Sequence, residues 1–152
     1  MPDPSSKVRD RLALRASSAF FLRSVDTLAR IAGAGDILRG VIFLAIVEAN
    51  VRHIRPADSI SQAYSESADI PPDELRKPVS IHALALELSL PYETTRRHVN
   101  KLMQDGMCLR RETGVVVPSE VLARETITAG LKKNFEHLRQ LFQDLRAGGV
   151  EL

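Results

Sequence analysis

Apolar positions first show a helical period between Ser18 and Ala32, where Phe21, Val25, Leu28 and Ala32 recur at spacings of 4, 3 and 4 and share one helix face. Gly33 and Gly35 stop that helix. Asp36 offers an N-cap for a second helix, from Ile37 to about Ile54. Its residues Leu38, Val41, Ile42, Ala45, Ile46 and Val51 form a broad apolar stripe, as expected of a central core helix. Pro56 ends it, and Ala57 to Pro78 is rich in Ser, Asp and Pro, which predicts a connector with room for one helical turn at Ile60 to Tyr64.

Beyond the connector the periods shorten. Ser80 caps a helix from Ile81 to about Leu88, with Ile81, Leu84, Ala85 and Leu88 inward, and Ser89-Leu90-Pro91 forms a tight connection. Pro91 opens the next helix, which runs to Gln104 and buries Thr95, Val99 and Leu102 before Gly106 stops it. Met107 to Arg111 and Val115 to Val117 read as two strands of a hairpin turning at Glu112-Thr113-Gly114. After Pro118, a last helix is expected from Ser119 to Arg146. Its residues Ile127, Leu131, Phe135, Leu138, Phe142 and Leu145 form a seam close to a heptad, and Gly148-Gly149 ends it. An unbroken span from Glu120 to Arg146 would be about 40 Å long, and Gly130 is the weak point in it.

The predicted fold is mainly α with one small β-hairpin. It comprises a flexible arm at Met1 to Ser17, a single domain from Ser18 to Leu152, and within that domain a helix, turn, helix and hairpin at residues 80–118. Composition fits this picture. With 152 residues, 44% hydrophobic and 26% charged, the chain can hold a core unaided. One cysteine, Cys108, excludes an internal disulfide and suggests a small buried residue in a reducing, cytoplasmic setting. The arm carries Lys7, Arg9, Arg11 and Arg15 without the apolar region of a signal peptide, and the run Val41 to Val47 falls far short of the ~20 residues that cross a bilayer. No membrane association is expected.

The stretch Pro78 to Pro118, PVSIHALALELSLPYETTRRHVNKLMQDGMCLRRETGVVVP, resembles the winged-helix domains of bacterial regulators such as the multiple antibiotic resistance regulator (MarR) family, over roughly a quarter of the chain. Ala85 matches the small residue between the two helices and Leu90 the apolar turn residue. Thr95-Arg96-Arg97-His98-Val99 and Leu102 match the recognition helix, and Gly106 and Met107 match its end and the first wing strand. Ser89 departs from the pattern, since many members have glycine there. The resemblance implies a winged helix-turn-helix whose N- and C-terminal helices build a homodimer, and a DNA-binding transcriptional regulator.

The residues support that expectation separately. Burying Thr95, Val99 and Leu102 turns Glu93, Arg97, Asn100, Lys101 and Gln104 outward, with Arg96 and Thr94 on the flanks. Arg pairs with guanine O6 and N7, Asn with adenine N6 and N7, and Thr or Tyr with phosphate or a thymine methyl. Entering a major groove N-terminus first, the helix presents Tyr92, Glu93, Thr94, Arg96 and Arg97 to the bases. Glu93 accepts from cytosine or pairs with Arg97 four residues on. Arg110 and Arg111 on the wing suit phosphate or the minor groove, and Ser80 and His82 the backbone. For the dimer the expected residues are Phe21, Leu28, Leu131, Phe135, Leu138, Phe142 and Leu145; the competing arrangement folds the last helix back on its own Phe20, Phe21 and Leu28.

Charge is distributed unevenly. Lys77 to Pro118 carries 6 basic and 4 acidic residues, whereas Pro56 to Arg76 carries 1 and 5, so a modestly basic module follows an acidic connector. No nucleophile elbow or Gly-rich phosphate loop occurs, and His53, His82, His98 and His137 are spread without metal-ligand spacing. No enzyme, cofactor or metal is expected. A protein-interaction module without specific DNA binding is the alternative, and a small-molecule effector pocket between the central and terminal helices is compatible with either.

Overall fold

The computed structural model describes residues 4–54 and 70–151; the helical turn expected at Ile60 to Tyr64 lies outside them. Helix α1 runs Pro4–Ile31, α2 Ile37–Val51, α3 Ile81–Leu88 and α4 Tyr92–Gln104. Strands β1 (Leu109–Arg111) and β2 (Gly114–Val116) follow, then α5 (Ser119–Leu122) and α6 (Glu125–Ala147). The chain is therefore mainly helical with one two-stranded antiparallel hairpin, an arrangement compatible with a winged helix. None of the described helices is long and apolar enough to cross a membrane.

The core lies where α2 crosses α3, α4 and the hairpin. Ile42, Phe43 and Ile46 of α2 meet Leu84, Val99, Leu102, Val115, Val117 and Ile127, all essentially inaccessible. Each such side chain contributes roughly 1.5–3 kcal/mol by leaving water. Polar residues are buried with them, Asn50 and Thr95 completely. Asn50, wholly buried, donates through Nδ2 to the carbonyls of Lys77 (2.8 Å) and Val115 (3.2 Å) and accepts through Oδ1 from Val117 N–H (3.0 Å). It thus joins the end of α2 to the entry of α3 and to β2. Val79 bridges to Val115 alongside, and Gly114 is required there because a Cβ would sit 2.7 Å from the Val79 carbonyl oxygen.

Three expectations about the helices need correction. Residues 4–17 are not a frayed arm but the first half of α1. Pro4 stands at the helix start, no Gly or Pro interrupts Ser5 to Ile31, and the segment lies along the far end of α6, where Leu12 meets Gly148. The last helix is also not continuous from residue 120, because Arg124, with φ −62° and ψ 137°, separates α5 from α6. On one unbroken helix the buried residues Val121, Leu122 and Ile127 would spread over roughly two thirds of the circumference, and the break lets all three face the core. Gly130, the suspected weak point, is instead buried within α6, where a Cβ would strike the Ile31 side chain at 2.4 Å.

The third correction concerns the seam. Helices α1 and α6 pack antiparallel within one chain, with Ile31 against Gly130, Thr27 against His137 and Leu12 against Gly148. The α6 face turned to α1 is centred on Gly130, Asn134, His137 and Leu141, so the predicted seam divides. Ile127 is buried and Leu138 and Leu145 are half-buried, whereas Leu131, Phe135 and Phe142 stay exposed. Leu28, expected to face a second chain, is only 7% exposed, and its backbone packs under Gly40 of its own α2.

Candidate nucleic-acid interface

Local chemistry fixes how α3 and α4 are joined. The Ser80 hydroxyl accepts from Ala83 N–H (3.0 Å) and caps α3. At its other end Ser89 takes the left-handed conformation, φ 54° and ψ 42°, a backbone region that favours glycine. Leu90 N–H then reaches Ala85 O (2.9 Å) and Ser89 N–H reaches Leu86 O (3.2 Å), a Schellman closure that offsets a left-handed serine costing about 1 kcal/mol. Pro91 caps α4, and the inaccessible Thr95 hydroxyl donates to its carbonyl (3.1 Å). The same closure ends α4, where Gly106 (φ 70°) donates to Met103 O and Met107 to Leu102 O.

The outward side of α4 forms one wall of a groove of about 630 Å³, with Arg96, Arg97, Asn100, Lys101 and Gln104 on it. Asp36 and Arg39, at the N-terminus of α2, form the opposite wall. Their place in this groove was not expected from the sequence, because only the tertiary crossing of α2 and α4 brings them there. Asp36 caps α2 through Arg39 N–H (3.0 Å), and His98 Nδ1 stands 3.9 Å from its carboxylate beneath the groove. Tyr92 and Glu93 are exposed and Thr94 is half-buried at the N-terminal end of α4, where the Tyr92 ring lies 6.5 Å from His82.

The cations are not equally available. Glu93 is paired with Arg96, three residues on, rather than with Arg97, and Arg96 Nε donates to it at 3.0 Å. That hydrogen bond holds the Glu93 carboxyl below its ordinary pKa and raises the Arg96 guanidinium above its own. Lys101 is paired with Asp105 at 2.9 Å. Arg97 is exposed and makes no hydrogen bond or ion pair among the described residues, which leaves it the open charge of this face.

The hairpin separates two adjacent arginines. Arg110 is exposed opposite Val115, as a contact residue would be. Arg111, expected beside it on the wing surface, turns inward, donating to the carbonyls of Asp73 (2.9 Å) and Arg76, so it fastens β1 to the connector. Asp73 accepts from Ser119 N–H (2.7 Å), and this bond, with the charges of Arg76 and Arg111, keeps its carboxyl below the usual range. Arg76 is itself buried, donating to Pro71 O (3.1 Å), and burial lowers its pKa. Cys108, just before β1, is buried with its thiol pKa pushed up to about 12 by desolvation, so it is an unreactive core residue.

Among the described residues no group of three or more His, Cys, Asp and Glu could hold a metal ion. No known family model, curated protein or solved structure matches the chain.

Proposed function

We propose that this chain is a dimeric, sequence-specific DNA-binding transcriptional regulator without catalytic activity, with α3 and α4 as its helix-turn-helix and β1–β2 as its wing. The observation that carries this reading is the outward face of α4. It presents Arg97 and Asn100, side chains suited to base edges, beside Arg96 and Lys101, whose carboxylate partners phosphate would replace. In this reading α4 enters the major groove, Tyr92, Glu93 and Thr94 lie nearest the bases, Ser80 approaches the backbone, and Arg110 reaches the flanking phosphate or minor groove.

The α1–α6 pair supports the dimer. Phe21 is 64% and Phe135 55% exposed, and Leu131 and Phe142 join them. With the register set by Ile31–Gly130 and Leu12–Gly148, helical periodicity puts these four residues on one side of the pair, a continuous apolar surface for a second copy. Two-fold pairing would set the α4 helices about 34 Å apart, one turn of DNA.

Titration of a mixed-sequence duplex at about 50 and 200 mM salt tests the electrostatic part. Affinity falling steeply between the two, with two chains per duplex, is the expected outcome. A folded protein that binds no duplex at either salt would favour the protein-interaction alternative.

A further inference from the structure

The α1–α6 pair has a second side whose chemistry differs from its apolar one. Arg23 lies two residues after Phe21, and Lys133 two before Phe135, about 200° round their helices. Between them opens a hollow of about 330 Å³, within the size range of small-ligand sites. Gly130 makes it possible, since α6 can pass against Ile31 only without a Cβ at that position. Ile31 and Ala129 line the hollow with apolar surface, and Thr27 and His137 contribute its polar part.

The charge here is lopsided. Among the described residues Asp26 is the only carboxylate lining the hollow, and it is taken by Arg30 at 2.9 Å. Arg23 and Lys133, one from each helix, make no ion pair among the described residues. The His137 ring is also oriented. Thr27 donates its one hydroxyl proton to Arg23 O (3.0 Å), so in the 3.3 Å contact with His137 the imidazole Nε2–H must be the donor. Two unpaired cations on facing helices and an apolar lining form a receptor for a negative charge.

We propose that this hollow binds a small anion whose phosphate or carboxylate group is held between Arg23 and Lys133. The site is separate from the α4 face and does not depend on the DNA-binding reading. A bound anion would tie α1 to α6 along the side opposite the apolar surface.

The experiment titrates the full chain with sodium phosphate and, separately, sodium acetate, with ionic strength held constant by chloride. Backbone amide shifts of Thr27, Gly130 and His137 are followed by NMR. Saturable shifts centred on those residues are expected with one of the two anions, assigning phosphate or carboxylate as the recognised group. Arg23→Gln and Lys133→Gln, both with intact amide dispersion, should each weaken binding by about tenfold or more. Arg97→Gln should leave it unchanged. The proposal is overturned if neither anion saturates, if shifts spread evenly over the surface, or if both hollow variants bind as the wild type does.

Discussion

Glu93 holds Arg96 in a hydrogen-bonded ion pair on the first turns of α4, and Arg97, the next residue, is left open to solvent. Two arginines adjacent in sequence therefore carry different consequences. Arg97→Ala should cost about 1 to 3 kcal/mol on the preferred duplex and flatten base preference at one position. Glu93→Gln, which frees Arg96 for phosphate, should strengthen binding to all duplexes and steepen the dependence of log affinity on log salt by about 1. Anisotropy titrations on specific and mixed duplexes separate the two; equal effects on both duplexes from Arg97→Ala would remove it from base reading.

The hairpin allows a similar separation. Arg110→Ala should weaken duplex binding uniformly and reduce the salt slope by about 1, with stability unchanged. Arg111→Gln should do the reverse, because its hydrogen bonds go to the carbonyls of Asp73 and Arg76, and the fold should lose about 1 to 3 kcal/mol. Urea unfolding alongside the binding titration checks both. Loss of affinity without loss of stability in Arg111→Gln would contradict the inward placement.

Asn50 is the polar centre of the core. Asn50→Ala leaves Val117 N–H and the Lys77 carbonyl without their partner and opens a cavity, so a loss of about 3 kcal/mol is expected, read as a lower urea midpoint. A change below about 1 kcal/mol would mean that water replaces the amide at little cost.

Asp73 makes part of the stability depend on pH. Its folded pKa is depressed, first by the Ser119 N–H bond and then by the charges of Arg76 and Arg111. The stabilisation is therefore fully present above the unfolded carboxylate pKa, near 3.9, and is lost as pH falls through the lower folded value. Asp73→Asn keeps an oxygen to accept from Ser119 but loses the charge. The stability difference between wild type and variant should be largest near neutrality and shrink as pH falls through and below about 4, in urea melts at stepped pH. A difference independent of pH would show that the charge contributes nothing.

What the sequence revealed and what it hid follow from the range of the interactions concerned. Asp36, Ser80 and Gly106 bound their helices as expected, because capping and left-handed closure involve only neighbouring residues. Helix α3 was legible at both ends for the same reason. The first half of α1 shows no clean apolar period, since only a narrow stripe of small residues, Ser6, Ala13 and Ala16, is partly buried there. No Gly or Pro marks the break at Arg124, whose guanidinium reaches Gly106 O (3.2 Å), 18 residues earlier. On the hairpin, alternation requires Arg110 and Arg111 to point opposite ways, but only the packing of the connector decides which turns inward. The groove beside α4 was half visible: its α4 wall followed from periodicity, whereas Asp36 and Arg39 came to it through the crossing of α2.

In the proposed function α4 reads duplex DNA as one of a symmetric pair. The most direct test is selection of bound sequences from a random duplex pool at near-physiological salt, with the stoichiometry of the recovered complex measured in the same sample. An inverted repeat with half-sites about 10 base pairs apart, bound by two chains, is expected. Folded protein that enriches no motif would contradict that function.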